Sequence, residues 1–309
     1  MLIDKNLYNR ILQKKKQLNS LRPFPKSALQ KLKEHIMVEW TYNSNAIEGS
    51  SLTLRETKLV IEDGLTIKGK PLREHLEAIN HKDAIEFVEK LVSKKFGISP
   101  HIVRQIHFLI LSRIDDEEAG KYRNVKVTIS GSSYTPPEAT GVPHLMADFG
   151  KWLKNKKSKI NIIEYAAIAH FKLVHIHPFV DGNGRTVRLL TNLILMRYGF
   201  PPTVILKLDR KKYYDCLEKG HKGNLLDFVN FIGRSCERSL TIWIEAIKPE
   251  KKQKLDQKYL PLREVFKGTP YSQEYLSLLA RRGKIEAVKF GRNWFTSNEA
   301  VKRYILSLK

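Results

Sequence analysis

Cysteine is almost absent from this 309-residue chain: Cys216 and Cys236 are its only two, too few for a disulfide scaffold or a cysteine-built zinc site. Long apolar runs are missing as well. No stretch approaches the roughly 18 residues of a membrane span, and the opening MLIDKNLYNRILQKKKQL lacks the apolar core of a secretory leader. These absences point to a reducing, cytoplasmic setting with no membrane contact. Acidic residues are outnumbered: 32 Asp and Glu face 55 Lys and Arg, leaving a formal charge of +23. Such an excess favours polyanionic partners, namely nucleic acid, nucleotide phosphates or an anionic surface, although solvated lysine faces alone would give the same total.

What is present is an ordinary globular composition, 42% hydrophobic and 28% charged, in a chain long enough for two domains and a smaller module. Helical periodicity dominates. Leu29, Leu32, Ile36, Met37 and Trp40 predict a helix from Ser27 to about Asn45, and Val142–Leu153 and Ile162–Leu173 repeat the pattern, the latter with Asn161 as cap. Thr53 and Glu56 have capping-box spacing, and Gly64 marks a stop. The one clear β signal is RNVKVTISGSSYTPP, residues 123–137, where Val125, Val127 and Ile129 alternate with polar residues before a Gly-Ser turn and predict a short hairpin. After a helix ending near Ala246, the polar IKPEKKQKLDQK reads as a linker.

Chemistry concentrates in HPFVDGNGRTVRLL, His177 to Leu190. Gly182, Asn183 and Gly184 tolerate positive φ and close approach, and they precede a helix expected from about Arg185 to Arg197. The free amides of a helix N-terminus bind anions, and Arg185 and Arg188 add charge suited to a polyphosphate. Asp181 is a hard oxygen ligand beside that cradle, the usual arrangement for Mg²⁺ held together with a nucleotide, and His177 is a base in the same loop. The set suggests deprotonation of a hydroxyl that attacks a phosphate.

The stretch resembles the Fic family signature HPFx(D/E)GN(G/K)RxxR, with nine specified places filled from His177 to Arg188; chance agreement is on the order of 10⁻¹⁰ per start position at about one in twenty per place. The resemblance implies a mainly α Fic fold and transfer of AMP from ATP to a Ser, Thr or Tyr hydroxyl of a protein, with Mg²⁺ as cofactor and ATP as substrate. By position it implies His177 as general base, Asp181 on Mg²⁺, Gly182 to Arg185 on the phosphates and Arg188 on the terminal phosphate. The hairpin falls where the family carries its flap, whose edge aligns a target segment. RKKYYDCLEKGHKGN resembles the segment lining the adenine pocket, with Tyr213 and Tyr214 as ring contacts and His221 where an asparagine is frequent. On composition alone, two tyrosines in a helix are more often core.

Upstream, WTYNSNAIEGSSLT sets Ser44 and Glu48 four apart, ahead of Gly49, and resembles the inhibitory (S/T)xxxE(G/N) motif of Fic proteins. The implied brake is a Glu48 carboxylate paired with Arg188, and in some relatives the equivalent glutamate supports removal of AMP. From Lys251 to Lys309, 14 basic residues face 5 acidic ones. The pattern there is short helix, second helix, basic hairpin and final helix, resembling excisionase-like winged helix-turn-helix domains. Ser272 would cap the second helix, Gln273, Ser277, Arg281 and Arg282 are candidate DNA contacts, and Lys284, Lys289 and Arg292 would belong to the wing. A protein-docking role stays open for this module, as do a homodimer, another nucleotide donor, and a DNA-binding regulator whose Fic domain senses nucleotide. The expected organisation is a helical region over 1–98 with the inhibitory helix, a Fic catalytic domain over 99–248, a linker over 249–258 and a winged helix over 259–309.

Overall fold

A computed structural model describes residues 1–94, 96–156, 160–247, 260–265, 267, 269–290 and 293–307. They fall into two compact units, 1–247 and 248–309. The linker expected over 249–258 lies outside the described residues, as does Arg292.

The first unit is helical: α1 (Lys5–Ser20), α2 (Lys26–Ile47), α3 (Leu54–Asp63), α4 (Leu72–Ser93), α5 (Pro100–Leu111), α6 (Val142–Lys156), α7 (Ile162–Ile176), α8 (Asn183–Arg197), α9 (Arg210–His221) and α10 (Leu226–Ile247). Local chemistry sets most of the boundaries. The Thr53–Glu56 capping box forms reciprocally, Gly64 closes α3 at φ 67°, and Asn161 caps α7 through Glu164 N–H. The central member is α8, enclosed on every side and packed against α2, α4, α5 and α7, as suits a helix whose leucines run all round its surface. Its start is Asn183, two residues earlier than the sequence spacing suggests, because Gly182 takes φ 74° and turns the chain directly into the helix.

No division of structure falls near residue 98. Ile3, Leu7 and Ile11 share one core with Val229, Phe231 and Trp243, and α1 lies along α10. Residues 1–98 and 99–247 therefore build a single body.

The hairpin expected over 123–137 is a correction. The segment turns where Ser132 N–H donates to Ile129 O, but no strand forms there. Side chains replace the cross-strand ladder. At the base, the Arg123 guanidinium donates to the carbonyls of His177, Val125 and Pro137, tying both limbs to the loop before α8. At the tip, Ser132 and Ser133 donate to the Glu218 carboxylate of α9, and Tyr134 stacks on His221 with centroids 3.8 Å apart.

The second unit contains β1 (Leu260–Pro261), α11 (Leu262–Val265), α12 (Gln273–Arg281), β2 (Ala287–Phe290), β3 (Asn293–Thr296) and α13 (Asn298–Leu306). The helices and hairpin follow the expected order, and β1 adds an edge to give an antiparallel sheet ordered β1-β3-β2. Its small core is built on Leu262, Val265, Leu276, Leu279, Ile285 and Val301.

Candidate active site

The site forms where α7 ends and α8 begins. His177 stands at the C-cap of α7 with φ 49° and ψ 61°, a left-handed conformation that a non-glycine residue rarely holds without a reason. The surrounding loop fixes it: Arg123 Nε donates to His177 O at 2.8 Å, and Arg123 N–H donates to Pro178 O. Phe179 fills the core beneath, stacked on the His107 ring at 3.7 Å between centroids. Burial, then the nearby Arg123 cation, pushes the His177 imidazole down to about 4. At neutral pH it is therefore uncharged and able to accept a proton.

The turn that follows is pinned from both sides. Asn183 spends its side chain on Phe179, accepting from its N–H at 3.1 Å and donating to its carbonyl at 2.8 Å. Only the backbone of Asn183 faces an incoming anion. Thr186 N–H already bonds Gly182 O, so the amides left for a ligand are those of the first turn before it. His107 fixes the other side: Nδ1 accepts from Gly120 N–H at 2.9 Å, so Nε2 carries the proton and donates to Asp181 O at 2.9 Å. Burial, the largest cause, pushes His107 down to about 4 and keeps it in that neutral tautomer.

Two arginines sit below the turn, both almost wholly enclosed. Arg188 NH2 meets Glu48 Oε1 at 2.8 Å and Ser44 O at 2.7 Å, while its Nε donates to Ser44 Oγ at 3.0 Å. Glu48 is the C-cap of α2, and Gly49 at φ 110° turns the chain away just after it. Ser44 and Glu48 thus reach the same guanidinium, as their spacing suggests. The Glu48 carboxylate also lies against the cradle itself: a Cβ on Gly184 would collide with Glu48 Oε1. A carboxylate occupies the mouth of the helix.

Arg185 pairs with Glu77 of α4 at 3.2 Å and with Asp181 at 3.5 Å. Asp181 accepts from Gly182 N–H through Oδ1 and from Arg73 NH2 through Oδ2. Burial alone would raise the Asp181 carboxyl, but Arg185, the Gly182 amide and Arg73 outweigh it, and the group sits below the usual carboxylate range. Among the described residues no cluster of three or more metal-ligating side chains occurs. One ionised, half-exposed carboxylate beside an anion cradle fits a cation such as Mg²⁺, which keeps most of its water and shares phosphate oxygens.

Of the two tyrosines expected to face a base, Tyr213 is a correction. It is 1% exposed, packed on Phe228 and Phe231, and its hydroxyl is engaged with His170 at 2.8 Å. Tyr214 is partly exposed, with the Arg210 guanidinium 5.0 Å from its ring centroid. Sequence reasoning missed Arg73, Glu77, His107 and Arg123. Only the i,i+4 spacing of Arg73 and Glu77 offered a signal, and it reads as an ordinary helix-surface pair. In the second unit Gln273, Arg281, Arg282, Lys284 and Lys289 are exposed, while Ser277 is half-buried and accepts from Arg281.

The Fic/DOC family pattern matches residues 97–195. A protein adenylyltransferase Fic of Aedes aegypti is 36% identical over 246 residues, which are 79% of this chain and 49% of that protein, so the chain spans about half the length of the curated relatives it matches. Among solved structures, Fic-1 of C. elegans is 36% identical with a TM-score of 0.71, the match covering 79% of this chain and 72% of that one. A Fic domain containing signaling protein of Bacteroides thetaiotaomicron is 30% identical with the same TM-score, over 77% of this chain and 98% of its own.

Proposed function

Because the chain belongs to the Fic/DOC family, we propose that it is a protein adenylyltransferase that moves AMP from ATP to a Ser, Thr or Tyr hydroxyl of another protein and is held in check by Glu48. The observation that carries this reading is the Glu48 carboxylate lying over Gly184 and paired with Arg188, an anion seated in an anion cradle.

The roles follow from position. Neutral His177 takes the proton of the target hydroxyl, whose oxygen attacks the α-phosphorus of ATP; the bond to the β-phosphate oxygen breaks and pyrophosphate leaves. The first-turn amides of α8 and the guanidinium of Arg185 bind phosphate oxygens, and Arg188 holds the terminal phosphate once Glu48 is displaced. Asp181 is the residue that would hold Mg²⁺, whose positive charge neutralises the phosphates when bound. The loop over 123–137, fastened at both ends, presents an extended edge to the target segment.

Incubating the full chain with labelled ATP and Mg²⁺ tests this. Glu48→Gly is expected to raise self-labelling, and adding His177→Ala is expected to abolish it. Equal labelling of wild type and Glu48→Gly across ATP concentrations would remove the brake. Erasure of AMP by Glu48 and a donor other than ATP are read in the same assay, by following label loss and by exchanging the nucleotide. A sensor with no transfer activity is the less favoured reading, since it has no need of a base at His177.

For residues 260–307 we propose a winged helix-turn-helix with α12 as its DNA-facing helix. Exposed Gln273, Arg281, Arg282, Lys284 and Lys289 support it. A mobility shift with random duplex should weaken steeply with salt and be lost on Arg281→Ala with Arg282→Ala. No shift at low salt would favour protein docking.

A further inference from the structure

The site contains a second internal stand-in besides Glu48. Arg73, in the first turn of α4, reaches Asp181 across 108 residues of sequence and binds Oδ2 through NH2 at 2.5 Å. The other carboxylate oxygen, Oδ1, takes the Gly182 amide at 2.5 Å and lies 3.5 Å from Arg185. Both oxygens are thereby engaged. The four groups close a ring of alternating charge: Arg73 to Asp181, Asp181 to Arg185, Arg185 to Glu77 at 3.2 Å, and Glu77 back to Arg73 Nε at 3.2 Å.

We propose that Arg73 is a built-in competitor for the divalent cation at Asp181: its guanidinium occupies the cation position, and a metal ion enters only by displacing it. The inference rests on the reading of Asp181 as the metal-holding carboxylate. It also follows from the unequal exposure of the two arginines. Arg185 is fixed beneath the loop, whereas the Arg73 side chain is 57% exposed and has room to leave. Departure is easy because Arg73 keeps its bond to Glu77 on the next turn of the same helix, so it swings between two acids rather than into unpaired solvent. A dication and a guanidinium on one carboxylate oxygen repel each other at contact distance, so each weakens the other's hold. The site's charges are then balanced at both poles by its own side chains. Glu48 stands where phosphate charge belongs, and Arg73 stands where metal charge belongs. Arg73 therefore sets how tightly the site takes its cation.

Mn²⁺ binding to the full chain, followed by loss of the free-ion paramagnetic resonance signal, tests this without any turnover. Arg73→Gln is expected to tighten Mn²⁺ binding about fivefold, the scale of one exposed ion pair, while Arg73→Lys, which keeps the charge, stays near wild type. Raising salt should narrow the gap between Arg73→Gln and wild type, because the exposed pair is screened. Asp181→Asn is the control for the underlying assignment: it should lose the Mn²⁺ site in every background. If Asp181→Asn abolishes binding but Arg73→Gln leaves it unchanged or weaker, the competitor role is wrong and the metal assignment stands. If Asp181→Asn binds Mn²⁺ like wild type, the metal assignment itself fails and the competitor role with it.

Discussion

Replacing Glu48 by glutamine removes one charge while keeping the side chain's shape, and it should make the protein less stable without nucleotide and its ATP binding tighter by the same free energy. Arg188 is only 4% exposed, and Glu48 is its sole carboxylate partner among the ion pairs of the described residues. Removing one partner of a fully buried pair costs about 3–5 kcal/mol. Here the Glu48 side chain is 34% exposed and Arg188 retains its two bonds to Ser44, so a figure of about 1–2 kcal/mol is appropriate. For a unit of this size that is a fall of roughly 3–6 °C in the melting midpoint. ATP binding should gain by the same amount, since the nucleotide no longer has to evict a carboxylate from Arg188, which corresponds to about 5- to 30-fold tighter binding. Calorimetric scans with and without saturating ATP, together with direct titration of ATP, measure both quantities. Loss and gain should mirror each other. A variant as stable as wild type without ATP, and no better at binding it, would refute the claim that Arg188 is shared between Glu48 and the nucleotide.

Acid should destabilise the fold well above the usual carboxylate range. Burial pushes His107, His177 and His221 down to about 4 and holds His81 and His170 well below their ordinary value. An unfolded histidine titrates near 6.5, so below that pH the unfolded chain takes up protons that the folded chain refuses; stability intact above pH 6.5 is lost towards pH 4, by up to about 1.4 kcal/mol per pH unit for each fully buried ring. Denaturant unfolding between pH 7.5 and 4.5 should show this slope, and a flat profile would mean the histidines are not held neutral. Glu218→Ala should free the tip of the 123–137 loop by removing the acceptor shared by Ser132 and Ser133. Limited proteolysis would then cut within 128–134 faster than in wild type while the rest of the unit stays protected, and equal rates would show that the Tyr134 stack alone fastens the loop.

Helices were readable from sequence where a local rule determines them. The Thr53–Glu56 box, the Asn161 cap and the Ser272 cap each act within three residues, and all three form as their spacing suggests. The loop over 123–137 shows the opposite case. Its alternation of Val125, Val127 and Ile129 is genuine, but the backbone is held by Arg123 and by Glu218, 86 residues distant from Ser132, and nothing local announces a side chain that will replace a ladder. Tyr213 and Tyr214 differ for a related reason. Adjacent residues on a helix point about 100° apart, so one turns into the core against His170 while its neighbour stays at the rim.

The site itself divides along the same line. The residues of the motif carry the chemistry and are legible together, because one turn and one helix start bring His177, Asp181, Arg185 and Arg188 into a single place. Of their counter-charges only Glu48 is, through the resemblance of its segment; Glu77 and Arg73 are not. Arg188 takes Ser44 and Glu48 from the end of α2, 144 and 140 residues earlier, Arg185 takes Glu77, and Asp181 takes Arg73. Charge burial favours such partners. A guanidinium buried as deeply as Arg188 is costly to leave without an anion, by about 1–2 kcal/mol even with its two bonds to Ser44 in place. A chain that keeps Arg188 buried is therefore more stable with a carboxylate of its own beside it. That carboxylate then competes with the nucleotide whether or not regulation was its origin. The resemblance of its segment already names Glu48 as that competitor, and the fold seats its carboxylate on Arg188.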